Sequence, residues 1–157
     1  MSKETVRRAA QEYLAERLSE EGLTYEETQN REAAMALAPA VWKKVRETVA
    51  AIAKEWNEVT KEQSLTCKET PLGDLRIRCI GSPHQLTIHF DSPRRLIKFE
   101  NTNCPDHEPK VVLSIEGYAT DTGRDARLMR NREVVNLEML ILRQLRQLAG
   151  LSRKAES

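Results

Sequence analysis

The chain has 157 residues, 39% apolar and 31% charged, with a net charge of +1; that length suits one domain able to bury roughly 70% of its unfolded surface. So near-neutral a balance argues against a protein that coats nucleic acid or polyacids along its length. Three cysteines, Cys67, Cys79 and Cys104, are odd in number and widely spaced, which makes no disulfide framework and fits a reducing, cytoplasmic setting.

Met1-Ser2-Lys3-Glu4-Thr5 is charged and leads into no apolar segment of the kind a secretory signal needs. The longest apolar run, Ala33 to Trp42, contains Pro39 and falls far short of the ~20 residues that span a bilayer. No membrane association is expected.

Lys3 to Glu21 is predicted helical, because Val6, Ala10, Tyr13, Leu14 and Leu18 recur at helical spacing and Gly22 suits the residue after the last turn. Thr24 with Glu27 makes a capping box, opening a short helix from Tyr25 to about Leu37. Pro39 marks a new first turn, since proline is tolerated there and disrupts a helix interior. The longest helix is then expected from Pro39 to about Gln63, with Val41, Val45, Val49, Ile52, Trp56 and Val59 on one stripe and Trp42 beside it. Leu65 to Thr70 reads as a connector.

From Leu72 to Tyr118 the period changes to two, which places alternate residues on one face of a strand. Leu75, Ile77 and Cys79 alternate with Asp74, Arg76 and Arg78. Leu86, Ile88 and Phe90 alternate with Gln85, Thr87, His89 and Asp91. Ile97 and Phe99 alternate with Lys98 and Glu100, and Val111, Leu113 and Ile115 with Val112, Ser114 and Glu116. Gly81-Ser82-Pro83-His84 and Asp91-Ser92-Pro93-Arg94 are turn tetrads. Such short connections favour antiparallel neighbours, and one apolar face suits a sheet covered on one side. Asp121-Thr122-Gly123 is a further turn, Arg127 to Arg130 a fifth strand, and Glu133 to Val135 a sixth, joined at Asn131-Arg132. Asn136 then caps a helix carrying Leu137, Met139, Leu140, Ile141, Leu142, Leu145 and Leu148, which Gly150 ends. An apolar face that broad must meet two surfaces.

The expected fold is therefore α+β: N-terminal helices, an antiparallel β-meander of four to six strands covered on one face by helices, and a C-terminal helix. A single domain over 1–157 is expected, with a helical half over 1–64, the sheet over 70–135 and the C-terminal helix over 136–151.

Few chemistries are signalled. Cys104-Pro105-Asp106-His107 is a C-x-x-H quartet, but no second ligand pair accompanies it and a tetrahedral zinc site needs four N or S ligands; no metal is expected. Ser82, His84, His89 and Asp91 include the side-chain types of a hydrolytic triad without a nucleophile elbow or oxyanion-hole turn. The six glycines are not grouped into a phosphate loop, and aromatics at 4% are too few for a base-stacking platform. No cofactor is implied.

Charge is uneven. Residues 1–66 hold ten Lys and Arg against twelve Asp and Glu, whereas residues 126–154 hold seven against two. The leading expectation is a non-enzymatic module that binds a protein partner or a small ligand, with a homodimer as one form of it. The alternatives are a nucleic-acid accessory domain using the basic C-terminal third, and an enzyme with an unconventional site. The candidate binding residues lie on the sheet's polar face: Arg76, Arg78, His89, Lys98 and Tyr118. Arg76 and Arg78 are two residues apart on one strand, so their guanidiniums share a face roughly 7 Å apart, and each offers a planar fork of donors to carboxylate or phosphate.

Overall fold

The structure, a computed structural model, describes residues 2–20, 24–61, 64–103 and 110–150. Two helices come first, α1 (Lys3–Glu20) and α2 (Tyr25–Val59). A seven-stranded sheet follows: β1 (Leu65–Glu69), β2 (Leu75–Cys79), β3 (Gln85–Asp91), β4 (Leu96–Asn101), β5 (Lys110–Thr120), β6 (Gly123–Arg130) and β7 (Glu133–Val134). Helix α3 (Leu137–Leu148) ends the described chain. Strand order matches sequence order and every pairing is antiparallel, so the sheet is a continuous meander. The expected α+β architecture is what the chain adopts.

Three expectations need correction. Leu65 to Thr70 is not a connector: Leu65–Glu69 is β1, joined to β2 through Pro71-Leu72-Gly73, where Gly73 takes φ +88. The sheet thus begins at residue 65, and its strands number seven. Next, Pro39 does not divide two helices. Thr24 caps as expected, its hydroxyl accepting from Glu27 N at 3.1 Å, but α2 then runs for 35 residues straight through Pro39. Met35 and Pro39 are both exposed, so the carbonyl four residues back, deprived of its donor, lies on the wet side of the helix. Finally, the buried stripe of α2 is Ala34, Ala38, Trp42, Val45, Val49 and Ala53, while Val41 is half-buried and Val59 is 83% exposed. Spacings of three and four place the small residues where the helix meets the sheet most closely.

Proline in a helix interior costs ~3 kcal/mol, offset by up to ~1 kcal/mol because it also restrains the unfolded chain. Pro39→Ala is therefore expected to raise stability by about 2 kcal/mol in urea titration; a fall would mean the core packing of Ala34 and Ala38 relies on proline's bend.

Helix α2 crosses the sheet's inner face obliquely. Near its start, the carbonyl oxygen of Asn30 lies only 2.2 Å from where a Cβ on Gly117 of β5 would stand, and Asn30 accepts a hydrogen bond from Arg124 of β6. In its middle Trp42 stacks on Phe90 of β3, with centroids 5.6 Å apart. Near its end Asn57 bonds to β1. The core combines the apolar phase of the strands (Ile77, Leu86, Ile88, Ile97, Phe99, Leu113) with Val45 and Val49 of α2 and Ile141, Leu145 and Leu148 of α3. Cys79 joins it, as its alternation predicts.

Helix α3 is capped by Asn136, which accepts from Met139 N at 3.2 Å. Three carbonyls of its second half also accept from side chains of the sheet and its turns. Asn101 Nδ2 donates to Gln144 O at 3.0 Å, Asn103 Nδ2 to Gln147 O at 2.6 Å, and Ser82 Oγ to Leu148 O at 3.3 Å. Asn101 and Gln144 are the two buried polar residues among the described ones, and they also bond to each other at 3.1 Å. The broad apolar face of α3 does meet two surfaces, the sheet and α2, yet Met139 stays 64% exposed.

The apolar side of α1 finds no such cover: Val6, Tyr13 and Leu14 are all exposed. The sheet's inner face is already occupied by α2 and α3. No described helix is long and apolar enough to cross a membrane.

Candidate functional site

With the helices on the inner side, the polar phase of the strands forms an uncovered outer face. Register sets its neighbours. Lys68 of β1 stands opposite Arg76 of β2, which stands opposite Thr87 of β3. Thr66, Arg78 and Gln85 form the adjoining row. Thr66, Lys68, Glu69, Thr70, Pro71, Arg76 and Arg78 line a cleft of about 420 Å³.

Three cations thus share one small area. Arg78 Nη2 donates to the neutral Gln85 side chain at 3.1 Å. Among the described residues no carboxylate stands within ion-pair distance of Lys68, Arg76 or Arg78. Like charges directly across a strand pair are destabilising, so the Lys68 and Arg76 pairing has an electrostatic cost, and Glu69 of the same cleft is engaged by Arg46.

The other three candidate residues are placed differently. His89 and Lys98 stand opposite each other, but each already has a carboxylate. His89 Nδ1 lies 2.5 Å from Asp74 Oδ1, and Lys98 Nζ lies 4.0 Å from Asp91 Oδ2. Tyr118 belongs to the part of β5 that runs past β4, which ends its pairing at Leu96 and Ser114. Only β6 flanks it there, and the Arg127 guanidinium sits 4.4 Å over its ring. Of the five residues, the fold brings Arg76 and Arg78 together, sets His89 and Lys98 beside them in compensated pairs, and leaves Tyr118 at a far corner.

The outer face is also less uniformly polar than its alternation suggests. Leu96, Ser114, Met129 and Val134 form one cross-strand row, with Val112 near it and 43% exposed.

Sequence reasoning missed Lys68 and Thr66, because β1 was read as a connector. A signal was present: Leu65-Thr66-Cys67-Lys68-Glu69 alternates with period two, but the charged Glu69 falls in what should be the apolar phase. Here Glu69 is held by Arg46 of α2 at 3.4 Å.

Comparison with protein-family models, with curated proteins and with solved structures returned no match.

The groups with catalytic side-chain types do not converge. Ser82 donates to the end of α3, His84 meets Thr102 at 3.2 Å, His89 meets Asp74, and Asp91 accepts from Arg94 N at 3.2 Å. Burial raises the thiol pKa of Cys79. Cys67 is exposed as a residue, yet partial desolvation of its sulfur raises its pKa as well; a raised pKa opposes the thiolate a nucleophile needs. Among the described residues no three His, Cys, Asp or Glu side chains gather as a metal site; Cys104 and His107 lie outside the described residues.

The basic C-terminal third is divided by the fold. Arg127 is on the outer sheet face, whereas Arg143 and Arg146 line a groove of about 360 Å³ along α3 with Met139 and Leu142, on the opposite side of the sheet.

Proposed function

We propose that this chain is a non-enzymatic binding module that recognises carboxylate or phosphate groups of a partner through the uncovered sheet face, with Arg76 and Arg78 as its centre. The observation that carries this is the cluster of Lys68, Arg76 and Arg78 on one cleft, where the one lining carboxylate, Glu69, is paired with Arg46 instead. Two arginine forks on one face bind oxyanions bidentately and fix their orientation. An anionic ligand also removes the repulsion between Lys68 and Arg76, so binding and local stability reinforce each other. The nucleic-acid reading finds its cations divided, with Arg143 and Arg146 in a groove along α3 and Arg127 in a separate cleft beside Glu27 and Glu116.

The double variant Arg76→Glu with Arg78→Glu tests this. Both side chains are exposed and outside the core, so the melting temperature and circular dichroism are expected to stay close to wild type. Partners that the wild type recovers from lysate are expected to be lost, and wild-type binding should weaken as salt rises, since the contacts are exposed charges. Retention of every partner by the double variant would place the binding surface elsewhere.

A further inference from the structure

The sheet has two edges, and they are treated differently. Edge strands expose unpaired N–H and C=O groups that other chains can pair with, so proteins shorten, bend or cover them. β7 is two residues long. β1 is five residues long and contains no proline.

Hydrogen bonding shows which groups of β1 are open. Ile80 N donates to Ser64 O at 3.0 Å, and Thr70 N donates to Asp74 O at 2.8 Å. Even-numbered residues of this segment therefore face β2, and by the alternation of an antiparallel ladder the odd-numbered ones turn their backbone groups outward. At Leu65 those outward groups are taken by α2: Leu65 N donates to Asn57 Oδ1 at 2.6 Å, and Asn57 Nδ2 donates to Leu65 O at 2.9 Å. A side-chain amide there imitates one residue of a further strand. At Cys67 and Glu69 no described group does the same.

What flanks this edge differs on its two sides. On the outer side stand Thr66 and Lys68, with Arg76 and Arg78 one strand further in. On the inner side a cleft of about 540 Å³ opens between β1 and α2, lined by Ala50, Ala53, Lys54, Asn57 and Glu58 of the helix and by Leu65 and Cys67 of the strand. A strand laid beside β1 projects alternate side chains to these two sides. The outer set meets Lys68, with Arg76 and Arg78 beyond it, and the inner set meets Ala50, Ala53 and Cys67, with Lys54 and Glu58 in the same cleft.

We propose that the β1 edge captures an extended peptide, in which acidic residues alternate with small apolar ones, as an eighth strand. The proposal rests on the binding-module reading and names its partner: backbone hydrogen bonds at Cys67 and Glu69 hold the segment, and the charge complement of Lys68, Arg76 and Arg78 selects it. This is strand addition, in which the main chain supplies affinity and alternate pockets supply specificity. Lys68 on the edge discourages pairing with another basic strand and favours an acidic one.

The test uses the full chain and a fluorescent seven-residue peptide alternating Glu and Val. In an antiparallel addition the peptide residues that bond to Cys67 and Glu69 share their inward phase, so they are the valines. N-methylation of the peptide at valine nitrogens is expected to weaken binding about tenfold or more, through loss of the inter-strand donors, whereas N-methylation at glutamate nitrogens leaves it within about twofold. On the protein side, Cys67→Pro removes a donor that faces away from β2, a position where an edge strand tolerates proline, and is expected to weaken binding by a similar factor. Should that variant fail to fold, the N-methylated peptides still decide the matter on wild-type protein. Arg76→Glu with Arg78→Glu should also weaken binding. If the peptide binds, is lost in that double variant, but is indifferent to N-methylation at valine, the cleft is a plain anion site: strand capture is overturned while the binding-module reading stands. Failure of the peptide to bind wild-type protein overturns strand capture outright, and only retention of every lysate partner by the double variant would also remove the broader reading.

Discussion

Truncation of Leu145 to alanine is expected to lower the stability of the protein by ~2–5 kcal/mol, the range for deleting a fully buried leucine from a core that cannot collapse. Leu145 is 0% exposed, as are Ile141 and Leu148 on the same side of α3. The helix has little freedom to close the gap, because Asn101, Asn103 and Ser82 hold the carbonyls of its last turn against the ends of β3 and β4. Unfolding in urea should show a lower midpoint with an unchanged slope. Leu142→Ala, at a position 36% exposed, is the internal control and should move the midpoint far less. Equal effects at both positions would mean that α3 is rotated from the orientation described.

A side chain at Gly117 is expected to be nearly as damaging. In Gly117→Val a Cβ would meet the carbonyl oxygen of Asn30 at 2.2 Å and its carbonyl carbon at 2.9 Å. Both are backbone atoms of α2, so no rotamer change relieves the contact, and helix and strand must separate. A cost of about 3 kcal/mol follows for overpacking of this kind. Because the obstacle is backbone, Asn30→Ala should not rescue the variant; rescue would show that the Asn30 side chain sets the spacing instead. The sequence does carry a hint here, since an isolated glycine within a strand pattern often marks close backbone approach.

Much of the architecture was legible because it depends on periodicity. Strands β2 to β5 carry apolar residues at every second position, and α3 is a capped amphipathic run, so burial at Ile77, Ile88, Phe99, Leu113 and Leu145 could be read directly. The failures share a cause. β1 was missed because only Leu65 of its five residues is buried, and an edge strand needs no apolar face to be held by its ladder. Pro39 was taken as a boundary because local propensity says so, but packing of Ala34, Ala38 and Trp42 on the sheet outweighs a ~3 kcal/mol local penalty. Of the candidate site, the pairing of Arg76 with Arg78 was legible from spacing along one strand. Their neighbour Lys68 was not, since it joins them only through strand register.

The amino-acid order alone determined the α+β class, the antiparallel order of the central strands and which of their faces is apolar, because those follow from periods of 2 and 3.6 residues and from short turns. Only the tertiary structure decided which polar groups are compensated. Arg76, His89 and Lys98 look equivalent in the sequence, yet Asp74 and Asp91 pair with the latter two, and among the described residues no carboxylate is within ion-pair distance of the first, Glu69 of its cleft being held by Arg46. Which edge of the sheet stays open was likewise decided in three dimensions, by the two bonds of Asn57 that end at Leu65 and leave Cys67 and Glu69 facing outward. Pairing between charges, and between backbone groups and a helix 8 residues away in sequence, depends on distances that no local pattern encodes.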